Sequence, residues 1–329
     1  MVTRRNFTLA AAAAALTAAG PVLAAHAASG PSTEAASQRP ITIIVPFAKG
    51  GTTDQVARLI AEPLSEAMGT PVEVHNITGD WGNTGAVIAA TSAADGHTLI
   101  MGQTGTHVVS NRHGMAKRFD PVADFAPVGL VGISPITFVV RNSLPVSDLA
   151  DLEAYLKDDP ASLSIAHGGH GTPSHIGARK LKLALGSENL AEKTYASTMA
   201  AMEDLALGDA DIMATSLPQA LPFIKAGKVK ALGMASSSRN IALPAVYTGT
   251  QQGYADLRAS HWNGLFAPAG LKPEAQAKLA SALAKALGNQ STQRKMRELG
   301  IHVPFAEQQG PKALAELQAR EIAEFNVTA

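Results

Sequence analysis

Two short stretches bring together residues that could hold an anion. The first is VPFAKGGTTD, Val45 to Asp54, and the second is HGGHGTPSH, His167 to His175. Gly50 and Gly51 let main-chain N–H groups approach a ligand with no Cβ in the way, and Thr52 and Thr53 add hydroxyls. Asp54 is expected to cap a following helix. The second stretch repeats the design, with Gly171 ahead of Thr172 and Ser174, and His170 as a further hydrogen-bonding side chain. The reading without a ligand, a tight strand-to-helix turn, stays open for each stretch taken alone. Neither is a phosphate loop, because no GK[ST] follows the glycines. The dinucleotide pattern G-x-G-x-x-G fails at Ser174. His167, His170 and His175 carry no interleaved carboxylate and fit neither the H-E-x-x-H helix nor a zinc pair, so no metal is expected.

For these stretches to act together, the fold must place both at strand ends. Candidate strands begin at Ile41, Val72, Thr98, Leu163, Asp211 and Lys230. Helical patterns fill the gaps over 55–68, 84–93, 147–157, 175–185, 199–207 and 218–226. Such alternation predicts an α/β protein with mostly parallel sheets flanked by helices, in which ligands sit beyond the carboxyl ends of the strands. Helix N-termini there present unpaired N–H groups with partial positive charge. Two longer β-like stretches, from Phe125 and from His261, are each long enough to pass between two lobes. Two crossings imply an inserted domain, giving 40–137 with 263–329 as one domain and 138–262 as the other. The chain beyond Lys272 is helical in pattern.

Composition narrows the function. The chain has 329 residues, 46% hydrophobic, and lysine plus arginine equal aspartate plus glutamate at 27 each. No basic block is dense enough for a row of phosphates, and 5% aromatic residues give little surface for stacking bases. Cysteine is absent, which excludes disulfides, thiolate metal sites and a cysteine nucleophile. Residues 1–27 read as an export signal: Arg4 and Arg5, a modest apolar run, then Ala25-His26-Ala27. The arginine pair points to the twin-arginine route, with Sec export as the alternative. Cleavage would remove two arginines and no acid, leaving 25 basic against 27 acidic residues, a net of about −2. Residues 28–39 form a polar linker, and with no cysteine to carry a lipid the mature chain is expected to be periplasmic and soluble.

The stretch ITIIVPFAKGGTTDQVARLIAEPLSEAMGTPVEVHN resembles the opening of the Bug family, the solute-binding receptors of tripartite tricarboxylate transporters. DGHTLIMG at Asp95, DPVADFAPVGLV at Asp120, GTPSHIG at Gly171, ALPFIKAGKVKAL at Ala220 and WNGLFAPAG at Trp262 extend the similarity over nearly all of the mature chain. The resemblance implies a two-lobed, flytrap-like binding protein, monomeric and without a cofactor, that hands a small carboxylate to a membrane transporter. It also implies site positions. In the first lobe these are Phe47, Gly50, Gly51, Thr52 and Asp54, with Gly82 and Asn83 in the next loop. From the second lobe come Gly171, Thr172, Ser174, Thr215 and Ser216.

Departures from the family pattern bear on the ligand. Lys49 stands where a proline is usual, and the second loop reads NITGDWGN, which sets Asp80 and Trp81 at the rim. Trp81 is expected to pack on an aromatic or apolar ligand body, and Asp80 to disfavour a second ligand carboxylate unless a cation meets it; the alternative is that both merely cover the rim. Citrate-like tricarboxylates are thereby less favoured than monocarboxylates, aromatic acids or amino acids. A rival reading is a two-lobed sensor with a signalling partner. A hydrolase would need a G-x-S-x-G elbow, and the chain has none.

Overall fold

The computed structural model describes residues 39–109, 118–158 and 163–328. The export signal and nearly all of the linker lie outside the described residues. The chain runs β1 (Ile41–Val45), α1 (Thr52–Met68), β2 (Val72–Asn76), α2 (Asn83–Ala90), β3 (Thr98–Gln103), β4 (Phe125–Arg141), α3 (Leu149–Asp158) and β5 (Ser164–His167). It continues through α4 (Pro173–Ala184), β6 (Ala191–Thr194), α5 (Thr198–Leu207), β7 (Ile212–Ser216), α6 (Leu217–Lys225), β8 (Val229–Met234) and β9 (Ser260–Pro268). Four helices end it: α7 (Pro273–Gly288), α8 (Gln290–Glu298), α9 (Ala306–Gln309) and α10 (Pro311–Thr328).

Helix α1 shows how local sequence builds the scaffold. Val56, Ile60 and Leu64 recur at four-residue spacing and are fully buried, so one stripe of the helix packs into the core beside Ile43 and Leu99. Gly69 ends the helix in the left-handed region at φ 64°, a conformation that costs glycine nothing.

The sheet order is β2-β1-β3-β9-β4-β7-β5-β6, with β8 also on β4. The outer strands pair in parallel, β1 with β2 and β3, and β5 with β6 and β7. The two long strands pair antiparallel. Strand β4 lies against β9 from Phe125 to Pro135, then against β7 and β8 from Ile136 onward. One strand thus serves two lobes. The first lobe's core has α1, α7 and α8 on one sheet face, while α2 and α10 cover the other through Ile44, Ile100 and Leu314. In the second lobe α3 and α4 cover one face and α5 and α6 the other. This layout sets the N-termini of α1, α4 and α6 beyond the ends of β1, β5 and β7.

Candidate functional site

The β1–α1 loop is braced from within the protein. Asp54, 2% exposed, accepts the Gly50 N–H and Asn76 Nδ2 at 2.9 Å each, and Arg58 Nε at 3.0 and 3.1 Å. The second Asn76 amide hydrogen goes to the Phe47 carbonyl at 3.0 Å. Burial pushes the Asp54 carboxyl up, but hydrogen bonds from Arg58, the Gly50 N–H and Asn76 outweigh it and hold the group below the usual carboxylate range. One expectation is corrected here: the N-cap is Gly51, in extended conformation at φ −69° and ψ 166°, and Asp54 braces the loop through Gly50, Asn76 and Arg58 instead of capping the helix. Gly50 turns the chain at φ +87°, and its own N–H is committed to Asp54. The N–H groups of Thr52 and Thr53, as first-turn residues, have no intrahelical acceptor and lie at the positive end of the helix dipole.

In the second lobe the β5–α4 loop is likewise self-supporting. Thr172 caps α4: its hydroxyl accepts the His175 N–H at 3.3 Å and donates to the Gly169 carbonyl at 2.7 Å. Gly171, at φ +74°, gives its N–H to His175 Nδ1 at 3.2 Å. Ser174 and Thr215 differ. Among the described residues five buried side-chain polar atoms lack a hydrogen-bond partner, and two of them are Ser174 Oγ and Thr215 Oγ1. A buried hydroxyl left so costs about 1–3 kcal/mol, which a bound acceptor would recover.

The loops of the two lobes converge. Thr52 Oγ1 lies 2.7 Å from Ser216 Oγ, joining the start of α1 to the start of α6. A Cβ placed on Gly105 would sit 3.2 Å from the Gly171 carbonyl oxygen, and one on Gly171 would sit 2.8 Å from Val109 Cγ1. The Trp81 indole lies against Gly169, where any Cβ would collide with it. Asp80, Trp81 and Gly82 all have positive φ, at 48°, 50° and 97°, which is strained for the first two. The corner is held by the Asp80–Arg118 ion pair at 3.2 Å, and by Gly82, whose Cβ would press on Thr106 and Phe47 at 2.8 and 2.9 Å. Asp80 thus meets a cation, so the repulsion of a second ligand carboxylate expected from sequence is neutralised. Trp81, 42% exposed, packs on the opposite lobe's backbone. Asn83 is buried at the start of α2, and Lys49 is exposed.

His170 is exposed, with its ring 5.5 Å from His167 and 4.9 Å from His175. Sequence spacing missed the carboxylate that joins this group: Glu192 Oε2 lies 3.3 Å from His167 Nε2 and 3.9 Å from His175 Nε2, and Lys182 holds the other oxygen at 2.7 Å. These atoms are close enough together for a metal. Their protons argue otherwise. Nδ1 of His167 and of His175 accepts a backbone N–H, from Gly169 at 3.3 Å and Gly171 at 3.2 Å, so in each neutral ring Nε2 carries the hydrogen and faces Glu192 as a donor. Burial lowers both imidazoles, His175 to about 4, which keeps them neutral at pH 7.

Two further residues escaped the motif reading. Asn263, 1% exposed, donates to Thr53 Oγ1 at 3.2 Å, and Gln103, 2% exposed, accepts the Gly105 N–H at 2.7 Å. Asn263 carried a signal, a lone amide inside the apolar run HWNGLFAP, since a buried amide needs partners. Gln103 ends β3 with no flanking pattern to mark it.

Known proteins place the chain. Residues 56–324 match the model of the "Tripartite tricarboxylate transporter family receptor". BugT of Bordetella pertussis is 32% identical over 237 residues, 72% of either chain. The structure of MatC from Rhodopseudomonas palustris with bound malate is 35% identical, with a TM-score of 0.81 over 87% of this chain and 97% of that one. Rpa4515 of R. palustris, solved with adipate, is 31% identical, with a TM-score of 0.83 over 88% and 95%. The two-lobed α/β fold and these likenesses along most of the described residues agree, and the chain belongs to the tripartite tricarboxylate transporter receptor family of solute-binding proteins.

Proposed function

We propose that this protein captures one small organic carboxylate between its lobes, delivers it to a tripartite membrane transporter, and performs no chemistry on it. The observations that carry the reading are the meeting of α1 and α6 through Thr52 and Ser216, and the buried hydroxyls of Ser174 in α4 and Thr215 at the end of β7, which lack a hydrogen-bond partner among the described residues. The Thr52 and Thr53 N–H groups would hold the carboxylate from the first lobe and Ser174 and Thr215 from the second. Gly51 would give access, and Trp81, Gly82 and Asn83 would close the rim. Gly50, Asp54 and Thr172 serve as scaffold in this proposal, and His170 stands at the edge.

Magnitudes support a site without a buried cation. A hydrogen bond to a charged group contributes about 1.5–3 kcal/mol, so four or five account for the roughly 8 kcal/mol of a micromolar complex after ordering costs. Arg58 is already engaged by Asp54. Malate and adipate in the two R. palustris structures make dicarboxylates the first ligands to try, and the Asp80–Arg118 pair removes the objection to a second carboxylate.

The domain division at residues 138 and 262, export by residues 1–27, and a periplasmic, monomeric mature protein belong to the same proposal. Among the described residues no helix is long and apolar enough to cross a membrane. Calorimetry against mono-, di- and tricarboxylates and amino acids tests the ligand class. One carboxylate is expected to bind at micromolar Kd, one per chain, and to be recovered unchanged. If none binds more tightly than millimolar, or if the bound acid is turned over, the proposal fails.

A further inference from the structure

A large cavity among the described residues borders these loops, with Thr104 and Pro173 in its lining. It occupies about 1190 Å³ between α4 of the second lobe and α10 of the first. Its floor includes Ile133, Pro135 and Ser260, from the strands that join the lobes, and its walls include Ile176, Ile301 and Leu317. Apolar surface of this extent calls for an apolar occupant.

The charge around it is uneven. Lys180, Arg239, Arg258, Arg297 and Arg320 line the cavity with two acids, Glu321 and Glu324, although lysine plus arginine and aspartate plus glutamate balance over the whole chain. Arg239 is engaged by Tyr247, Gln251 and the Pro244 carbonyl, and Lys180 by the Arg258 carbonyl. Glu321 accepts from Trp262 Nε1 at 2.7 Å, so its charge is partly taken up by the protein. Among the described residues Arg258, Arg297 and Arg320 have no side-chain hydrogen bond or close ion pair, although the Arg320 charge is near enough to favour ionised Glu321, and all three are exposed. Five cations facing two acids above an apolar floor match a molecule with one anionic head and a hydrocarbon body. A phosphate or citrate would leave the floor uncovered, and an alkane would leave the arginines unanswered.

We propose that this groove is a second binding site, for an amphiphilic monoanion whose head group meets Arg258, Arg297 and Arg320 and whose chain covers Ile133, Ile176 and Leu317. The groove touches the β5–α4 loop at Pro173 but includes none of Thr52, Thr53, Ser174 and Thr215, the groups proposed to hold the carboxylate.

The probe is decanoate, titrated calorimetrically into the full mature chain at pH 7.5, below its micelle concentration, with decanol as the uncharged control. Saturable one-to-one binding is expected, with decanol at least tenfold weaker. Arg297→Glu/Arg320→Glu is expected to weaken decanoate at least tenfold, and Arg258→Gln to weaken it less. Gly51→Val, which blocks the other site, is expected to leave decanoate binding unchanged. Circular dichroism and melting confirm that each variant is folded; should the charge-reversal double variant not fold, Arg258→Gln/Arg320→Gln replaces it with the same expectation. The proposal is overturned if the native chain shows no saturable binding, if the arginine variants bind decanoate as the native chain does, or if Gly51→Val abolishes it.

Discussion

Ser174→Ala and Thr215→Val should separate the unliganded protein from its complex by sign. In the structure both residues are buried, at 3% and 1% exposure, and neither hydroxyl has a hydrogen-bond partner among the described residues. Removing such a group relieves about 1–3 kcal/mol of desolvation cost, offset in part by the small volume lost at Ser174, while Val fills the space of Thr215. The unliganded variants are therefore expected to melt at the native temperature or about 2–4 °C above it, corresponding to a gain of up to about 1 kcal/mol in a chain of this size. In the complex each hydroxyl donates to a carboxylate and contributes about 1.5–3 kcal/mol, so each substitution should weaken binding by about tenfold to a hundredfold. An ordinary core defect lowers stability and affinity together. Thermal melting without ligand and calorimetry with the tightest carboxylate from the panel read the two quantities. A lower melting temperature with unchanged affinity would refute the assignment of these hydroxyls to the ligand.

Other expectations follow from neighbouring geometry. Gly51 has an extended backbone, and a Cβ there would meet only the Ala48 carbonyl oxygen at 3.4 Å, so Gly51→Val should fold normally yet lose carboxylate binding at least a hundredfold by calorimetry. Trp262 is fully buried while Trp81 touches the opposite lobe, so any ligand-induced change in tryptophan emission should vanish in Trp81→Phe. Burial holds His107 at about 3 and His261 at about 4, below the ordinary 6.5. Their contribution to stability is complete above pH 6.5 and is lost as pH falls toward 4, so His107→Phe should flatten the acid side of a melting-temperature profile. Glu321 has the opposite sign. Burial raises it from 4.5 to about 6, so its contribution is present below pH 4.5 and is lost as pH rises through 6. Glu321→Gln is expected to raise the melting temperature at pH 7.5 and leave it unchanged at pH 4.5.

Much of the fold was legible because apolar runs and glycine breaks coincide with burial. All six strands read from sequence are present, and the two long β-like stretches are β4 and β9, which carry the chain between lobes. Strand β6 was not legible: AEKT is exposed along its whole length and offers no apolar alternation, and it forms only by pairing with β5. The loops VPFAKGGTTD and HGGHGTPSH were readable as strand ends; each reaches the other lobe through a different segment, Thr52 meeting Ser216 and Gly169 meeting Trp81. The role of Asp54 was not readable. Its position suggests a cap, but Asn76 and Arg58, distant and near in sequence, claim its carboxylate through tertiary contacts. Glu192 escaped for the same reason, since β6 alone carries it to His167.

The most direct test of the central claim is a crystal structure of the mature protein with its tightest carboxylate. The carboxylate oxygens are expected within about 2.7–3.2 Å of the Thr52 and Thr53 N–H groups and of the Ser174 hydroxyl. A carboxylate held by lysine or arginine elsewhere on the chain, with these groups untouched, would contradict it.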